Sequence, residues 1–133
     1  MIETLKIFLA VIFASFLIQA CKNKTYSQGE RLYQAHCANC HMEDGLGLAK
    51  LIPPLANSDY LRDNQEIIPC ILRHGQKGKI IVNGVHYDQE MPGEKYTAVQ
   101  INNMVNYINT AWNNDIPTVT ITQTNKRLEN CKK

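Results

Sequence analysis

Cys37-Ala38-Asn39-Cys40-His41 is the stretch on which the reading of this chain turns. Upstream of it, Ser27-Gln28-Gly29-Glu30 has the pattern of a capping box, and Gly29, Leu32, Tyr33 and Cys37 recur at three- and four-residue spacing. A helix is therefore predicted from about Gln28, with its apolar stripe running into Cys37. Two thiols three positions apart at a helix end can reach the two vinyl groups of one haem, and a His directly after the second points its imidazole at the iron. The pentapeptide thus reads as a covalent haem attachment, with Cys37 and Cys40 as anchors and His41 as an iron ligand.

Three other chemistries compete for these residues. A dithiol oxidoreductase uses Cys-x-x-Cys, but on a βαβ framework that this sequence does not supply. A disulfide between Cys37 and Cys40 would close too small a loop to staple anything. Zinc is the strongest rival, because Cys37, Cys40, Cys70 and His74 form a three-thiolate, one-imidazole set. It leaves His41 and Met91 without a role, whereas haem uses both.

An iron held by His41 needs a donor from the opposite face, and a thioether raises the reduction potential relative to a second imidazole. Met42 adjoins His41 and cannot cross the porphyrin, and Met104 falls on the apolar face of a predicted helix. Met91 stands in a predicted loop fifty residues beyond His41, and Pro92 biases it towards extended backbone. It is assigned as the distal ligand. His74 and His86 are read as structural, and His36 as solvent-facing.

Around this centre the chain has 133 residues, 44% hydrophobic and 20% charged, with a formal net charge of +2. That balance fits one domain and excludes an acidic disordered chain and a strongly basic nucleic-acid binder. All three Phe residues lie before residue 20, which leaves six Tyr and Trp112 as the later aromatics. So thin an aromatic complement is consistent with a cofactor filling the centre.

Residues 7–18 form an apolar run preceded by Lys6 and followed by Gln19-Ala20-Cys21. Twelve residues of helix are short of the ~20 needed to cross a bilayer, so 1–20 is predicted to be a signal peptide. Ile18-Gln19-Ala20-Cys21 is similar to the bacterial lipoprotein box, which implies cleavage before Cys21 and acylation of its thiol. Ordinary secretion with Cys21 unmodified is the alternative. Residues 21–26 then form a polar tether.

The rest of the pattern is α-rich. Gly45, Gly47, Pro53 and Pro54 predict irregular chain over 44–56, followed by a turn over 58–61. A middle helix is expected over 64–73 with Asp63 as its N-cap and a kink at Pro69. Asn83-Gly84 between two β-rich runs predicts a hairpin over 79–87. Thr97-x-x-Gln100 caps a helix whose apolar face carries Ile101, Met104, Val105, Ile108, Ala111 and Trp112, ended by Asn113, Asn114 and Pro117. The tail 115–133 is polar, with at most one helical turn expected before Cys131.

Taken together, Gly29-x3-Tyr33-x3-Cys37-x2-Cys40-His41, Pro53-Pro54-Leu55-Ala56, His74-Gly75, the Gly78 to Met91-Pro92 segment and the stretch 107–112 resemble class I monohaem cytochrome c. More narrowly, they are similar to the bacterial domains that serve respiratory oxidases, reductases and dehydrogenases. The resemblance spans 27–114. It implies an all-α cytochrome c fold with crossed N- and C-terminal helices, a middle helix and a short β-hairpin before the axial Met loop. Gly29 and Tyr33 should then pack near Met104 and Tyr107, and Pro53 or Pro54 should offer its carbonyl to the His41 ring. With Cys21 acylated and two thiols on haem, Cys70 and Cys131 are left, and an exported chain favours their pairing.

A six-coordinate iron leaves no site for substrate. The expectation is therefore a one-electron carrier and not an enzyme, with one covalent haem c and no nucleic-acid or small-molecule partner. The lipid anchor would hold it on a periplasm-facing membrane between respiratory or dehydrogenase donors and a terminal oxidase or reductase. The alternatives are a haem gas sensor or peroxidase-like enzyme with a labile Met91, and the zinc module.

Overall fold

The computed structural model describes residues 26–131 together with Lys6. Apart from Lys6, the expected signal peptide, the Cys21 box and tether residues 22–25 lie outside the described residues. In chain order come α1 (Ser27–His36), α2 (Ala38–His41), α3 (Asp59–Asp63), α4 (Ile68–His74), β1 (Gly75–Gln76), β2 (Ile80–Val82), β3 (Val85–Tyr87), β4 (Met91–Pro92), α5 (Ala98–Thr110), a 3-10 turn (Ala111–Asn113) and α6 (Ile121–Glu129).

The core is built where α1 meets α5. Tyr33 of α1 is fully buried, as are Ile101, Met104 and Val105 of α5, and Leu61, Ile68, Leu72 and Ile108 close the cluster. Each such side chain contributes roughly 1.5–3 kcal/mol by leaving water. The helices touch at Gly29, where a Cβ would overlap the carbonyl oxygen of Asn103 and come within 2.7 Å of the Tyr107 Cβ. Tyr33 packs its ring 5.4 Å from Tyr107 and 5.0 Å from Trp112, centroid to centroid.

Local chemistry explains the helix ends. Thr97 accepts from the Gln100 backbone and Gln100 reaches back to Thr97, a complete capping box that starts α5 at Ala98. The matching box expected at Ser27 does not form. α1 begins one residue earlier, with Tyr26 at the cap position and its carbonyl bonded by the Glu30 N–H, so Ser27 lies inside the first turn. At its other end α5 stops at Thr110 and not beyond Trp112, because Trp112 and Asn113 adopt left-handed backbone.

The middle helix differs from expectation in a way Pro69 accounts for. Asp59–Asp63 form the separate α3, capped by Ser58 accepting from Leu61 N, and Asp63 ends it instead of capping the next. α4 begins at Ile68, which puts Pro69 in the first turn, where its missing N–H costs nothing and its fixed φ fits. Hence no kink arises.

Two antiparallel strand pairs are present, so the described chain is α-rich rather than purely helical. β2 pairs with β3 through the Asn83-Gly84 turn, both residues having positive φ as a type I′ hairpin demands. The second pair, β1 with β4, sets Gln76 opposite Met91 and Gly75 opposite Pro92. Met91 thus stands in a two-residue strand and not in a free loop.

The tail also departs from expectation. α6 is nine residues long and capped by Thr120 and Gln123. Cys131, just beyond α6, is bonded to Cys70 of α4 as expected, with Cα atoms 5.5 Å apart.

Candidate cofactor cleft

An apolar cleft opens between α1–α2, the 44–56 loop, α4, the hairpin and α5. Its walls include Tyr33, Leu55, Ile68, Leu72, Val82, Tyr87 and Met104, and Cys37, Cys40, His41, Pro53, Pro54 and Met91 all line it. About 1040 Å³ of non-atom space lies within it, its solvent-facing mouth included. Residues more than fifty positions apart in sequence are thereby brought to one site. His74 and His86 are exposed and do not line it.

The loop geometry that presents His41 starts one residue after it. Met42 turns the chain with a φ of 63°, and the Tyr33 hydroxyl fixes that turn by donating to the Met42 carbonyl at 2.6 Å. Gly47 then returns the backbone: its N–H donates to the His41 carbonyl at 3.0 Å, and a Cβ on it would collide with the carbonyls of Ile52 and Pro53. Farther along, Leu55 and Ala56 both donate to the Gly45 carbonyl, at 2.7 and 3.0 Å. This return carries the Pro53 carbonyl to 3.0 Å from His41 Nδ1. Of the two prolines, Pro53 is the partner, and its acceptor oxygen requires the proton on Nδ1, which leaves the Nε2 lone pair to act as a donor.

Trp112 closes the outside of this loop. Its indole N–H donates to the Glu43 carbonyl at 3.0 Å, and its ring covers Gly45 so closely that a Cβ there would stand 2.6 Å from a ring carbon. Neither Gly47 nor Trp112 stands out in the sequence as a site residue. The Gly45-x-Gly47 spacing is the available signal, and it does not show which carbonyls the loop will meet.

Electrostatics in the cleft follow burial. His41 is 8% exposed, and desolvation lowers its pKa below the ordinary imidazole value against the opposing pull of the Pro53 hydrogen bond. Burial, and secondarily the neighbouring Cys40, pushes the Cys37 thiol up to about 11. Tyr33 is raised as well, first by burial and then by Cys37. All three groups are held neutral at pH 7.

The donor set fits a covalent haem better than a bare metal. Cys37 and Cys40 are unbridged thiols at the cleft edge, the walls are apolar, and one imidazole and one thioether are available within it. The four-ligand zinc alternative is corrected by the structure, since Cys70 is consumed in its bond to Cys131. Among the described residues no group of three or more His, Cys, Asp or Glu side chains is arranged to hold a metal ion.

Comparison with known proteins agrees with that chemistry. A family model described as cytochrome c matches residues 26–112. The cytochrome c subunit of alcohol dehydrogenase (quinone) from Gluconacetobacter polyoxogenes is 35% identical over 112 residues, which are 80% of this chain and 24% of that one. Cytochrome c-552 of Thermus thermophilus is 30% identical over 103 residues, 74% of this chain and 69% of the relative. The chain therefore spans about a quarter of the dehydrogenase subunit and most of the smaller protein.

Proposed function

Since the chain belongs to the cytochrome c family, we propose that it carries single electrons through a haem anchored by Cys37 and Cys40 and ligated by His41 and Met91. Electron transfer without catalytic turnover is the family's function, and the residues named are those on which it rests here. Haem c, when bound, supplies an iron that alternates between the ferrous and ferric states. The protein's own residues do the rest. Pro53 holds His41 Nδ1 and so leaves Nε2 as the donor, Met91 offers a soft sulfur, and Leu72, Val82, Ile108 and their neighbours exclude water. A dry, fixed environment keeps reorganisation small when charge changes.

The observation that carries this reading is the meeting of two unbridged thiols, a buried imidazole with its orientation fixed, and a thioether in one apolar cleft. Anchoring through an acylated Cys21 is supported by the Ile18-Gln19-Ala20-Cys21 box. We place the protein at a periplasm-facing membrane, accepting electrons from a respiratory complex or dehydrogenase and passing them to an oxidase or reductase. The likeness to a dehydrogenase cytochrome c subunit supports the donor side. Tethering raises the effective concentration at such partners without any new contact.

Oxidised and reduced visible spectra of haem-matured protein test the assignment. The expected result is a sharp reduced α-band, together with a weak near-infrared sulfur-to-iron band that disappears in Met91→Ala. Survival of that band in the variant would remove Met91 from the site. Its absence from the parent protein would favour an open iron and the sensor or peroxidase reading.

A further inference from the structure

α4 is gripped at both ends, and the two grips face different parts of the molecule. At its C-terminus it is fastened to the segment that contains Met91. Gly75 and Gln76 pair with Pro92 and Met91, the Glu94 N–H donates to the Leu72 carbonyl at 3.2 Å, and Arg73 Nη2 donates to the Tyr96 carbonyl at 3.2 Å. The backbones touch there: a Cβ on Gly75 would overlap the Met91 carbonyl oxygen, and one on Gly93 would overlap His74. A displacement of α4 is therefore passed directly to the strand of Met91.

At its other end α4 is fastened to the C-terminal segment. Cys70 is bridged to Cys131, and Glu66, just before the helix, pairs with Arg127 of α6 at 2.8 Å. The Arg127 side chain is 12% exposed but Glu66 is 77% exposed, so the ion pair is open to water on its carboxylate side and the disulfide is the stronger of the two fastenings. α6 is in turn fixed to α5, because Asn102 donates to the Val119 carbonyl and to Thr124 Oγ1, each at 2.9 Å. Between its grips α4 contributes Ile68, Ile71 and Leu72 to the cleft wall.

We propose that the C-terminal segment is a brace for the distal side of the cleft: the Cys70–Cys131 bond and the Glu66–Arg127 pair hold α4, and α4 holds Met91 in place. These four are positioning residues, since none of them lines the cleft. The role in ligation rests on Met91 being the distal ligand, whereas the mechanical role does not.

The test uses haem-loaded protein with the bridge opened in two ways, by Cys70→Ser/Cys131→Ser and by reducing and alkylating the folded wild type, so that a folding defect in the variant does not decide the result. Amide hydrogen exchange is followed in peptides covering 89–96 and, as control, in α1. Opening the brace is expected to speed exchange in 89–96 by about fivefold or more while α1 changes by less than about twofold, because local opening spreads from the weakest fastening. The sulfur-to-iron band should weaken, and carbon monoxide should bind the ferrous protein several times faster. Unchanged exchange in 89–96, or an equal rise in α1, overturns the brace. If the wild type has no sulfur band, the Met91 assignment falls, and the exchange comparison alone then decides the mechanical role.

Discussion

The side chain of Asn106 pairs with the backbone of Val119 through both of its polar atoms. Asn106 Oδ1 accepts from the Val119 N–H at 2.7 Å, and Nδ2 donates to the Val119 carbonyl at 2.9 Å, both bonds buried. A helix side chain here imitates a strand partner and binds an extended segment that has no sheet to join. Asn109 adds a single bond to the tail, donating to the Pro117 carbonyl at 3.0 Å while its Oδ1 accepts from Gln65. The tail thus docks by amide chemistry as well as by its apolar residues Ile116, Val119 and Leu128.

Asn106→Leu is accordingly expected to destabilise the protein despite its greater hydrophobicity. The Val119 carbonyl keeps its bond from Asn102, but its N–H loses the acceptor, and a buried unpaired donor costs about 1–3 kcal/mol. Denaturant unfolding of the haem-loaded variant should show a lower midpoint with an unchanged slope. A midpoint equal to wild type would mean that the tail docks without this pair.

Gly29→Ala sets two effects against each other. Ala is favoured over Gly inside a helix by up to about 1 kcal/mol. Against this, the added methyl would overlap the Asn103 carbonyl and crowd the Tyr107 Cβ, forcing α1 off α5, and such overpacking costs roughly 1–3 kcal/mol. The steric effect should win, giving a net loss visible as a lower thermal midpoint. Gly29→Val should be worse, whereas Arg31→Ala, at an exposed position of the same helix, should change little.

Features that satisfy their own backbone are legible in the sequence, and those that depend on the chain's return are not. The Asn83-Gly84 hairpin and the Thr97 box announce themselves within a few residues for that reason. Thr120-x-x-Gln123 carries the same capping signal as Thr97-x-x-Gln100, yet the polar stretch behind it hides α6, which is held through Asn102 on Thr124 and, at its flanks, through Asn106 on Val119 and the Cys70–Cys131 bond. Reading Asp63 as an N-cap places Pro69 in a helix interior, whereas Asp63 ends α3 and the next helix starts at Ile68. At the cleft, Cys37, Cys40 and His41 are legible as one motif. The choice of Pro53 over Pro54 depends on Gly47 turning the loop back, which no spacing rule encodes.

The anchor lends itself to a direct experiment. Cys21→Ser should abolish acylation, and with it the lasting attachment that two or three chains give. The absorption spectrum should be unchanged, because Cys21 is sixteen positions before Cys37 in the sequence. Intact mass of the wild type should show the diacylglyceryl increment, and a wild-type mature mass without it would rule out the anchor.

His41 sets the acid limit of the site. Its folded-state pKa lies below the ordinary imidazole value, first because burial disfavours the cation and in spite of the Pro53 hydrogen bond. The folded chain therefore binds this proton more weakly than the unfolded chain, whose imidazole titrates near 6.5. The resulting contribution to stability is complete above about pH 6.5 and is lost as pH falls through the lower folded value. Proton and iron compete for the same Nε2 lone pair, so weak proton binding also protects ligation. In an acid titration of the haem-loaded protein, the low-spin spectrum should stay level through pH 6.5 and collapse only at lower pH. A midpoint at or above 6.5 would show an imidazole open to water, and with it a cleft less closed around His41 than its 8% exposure requires.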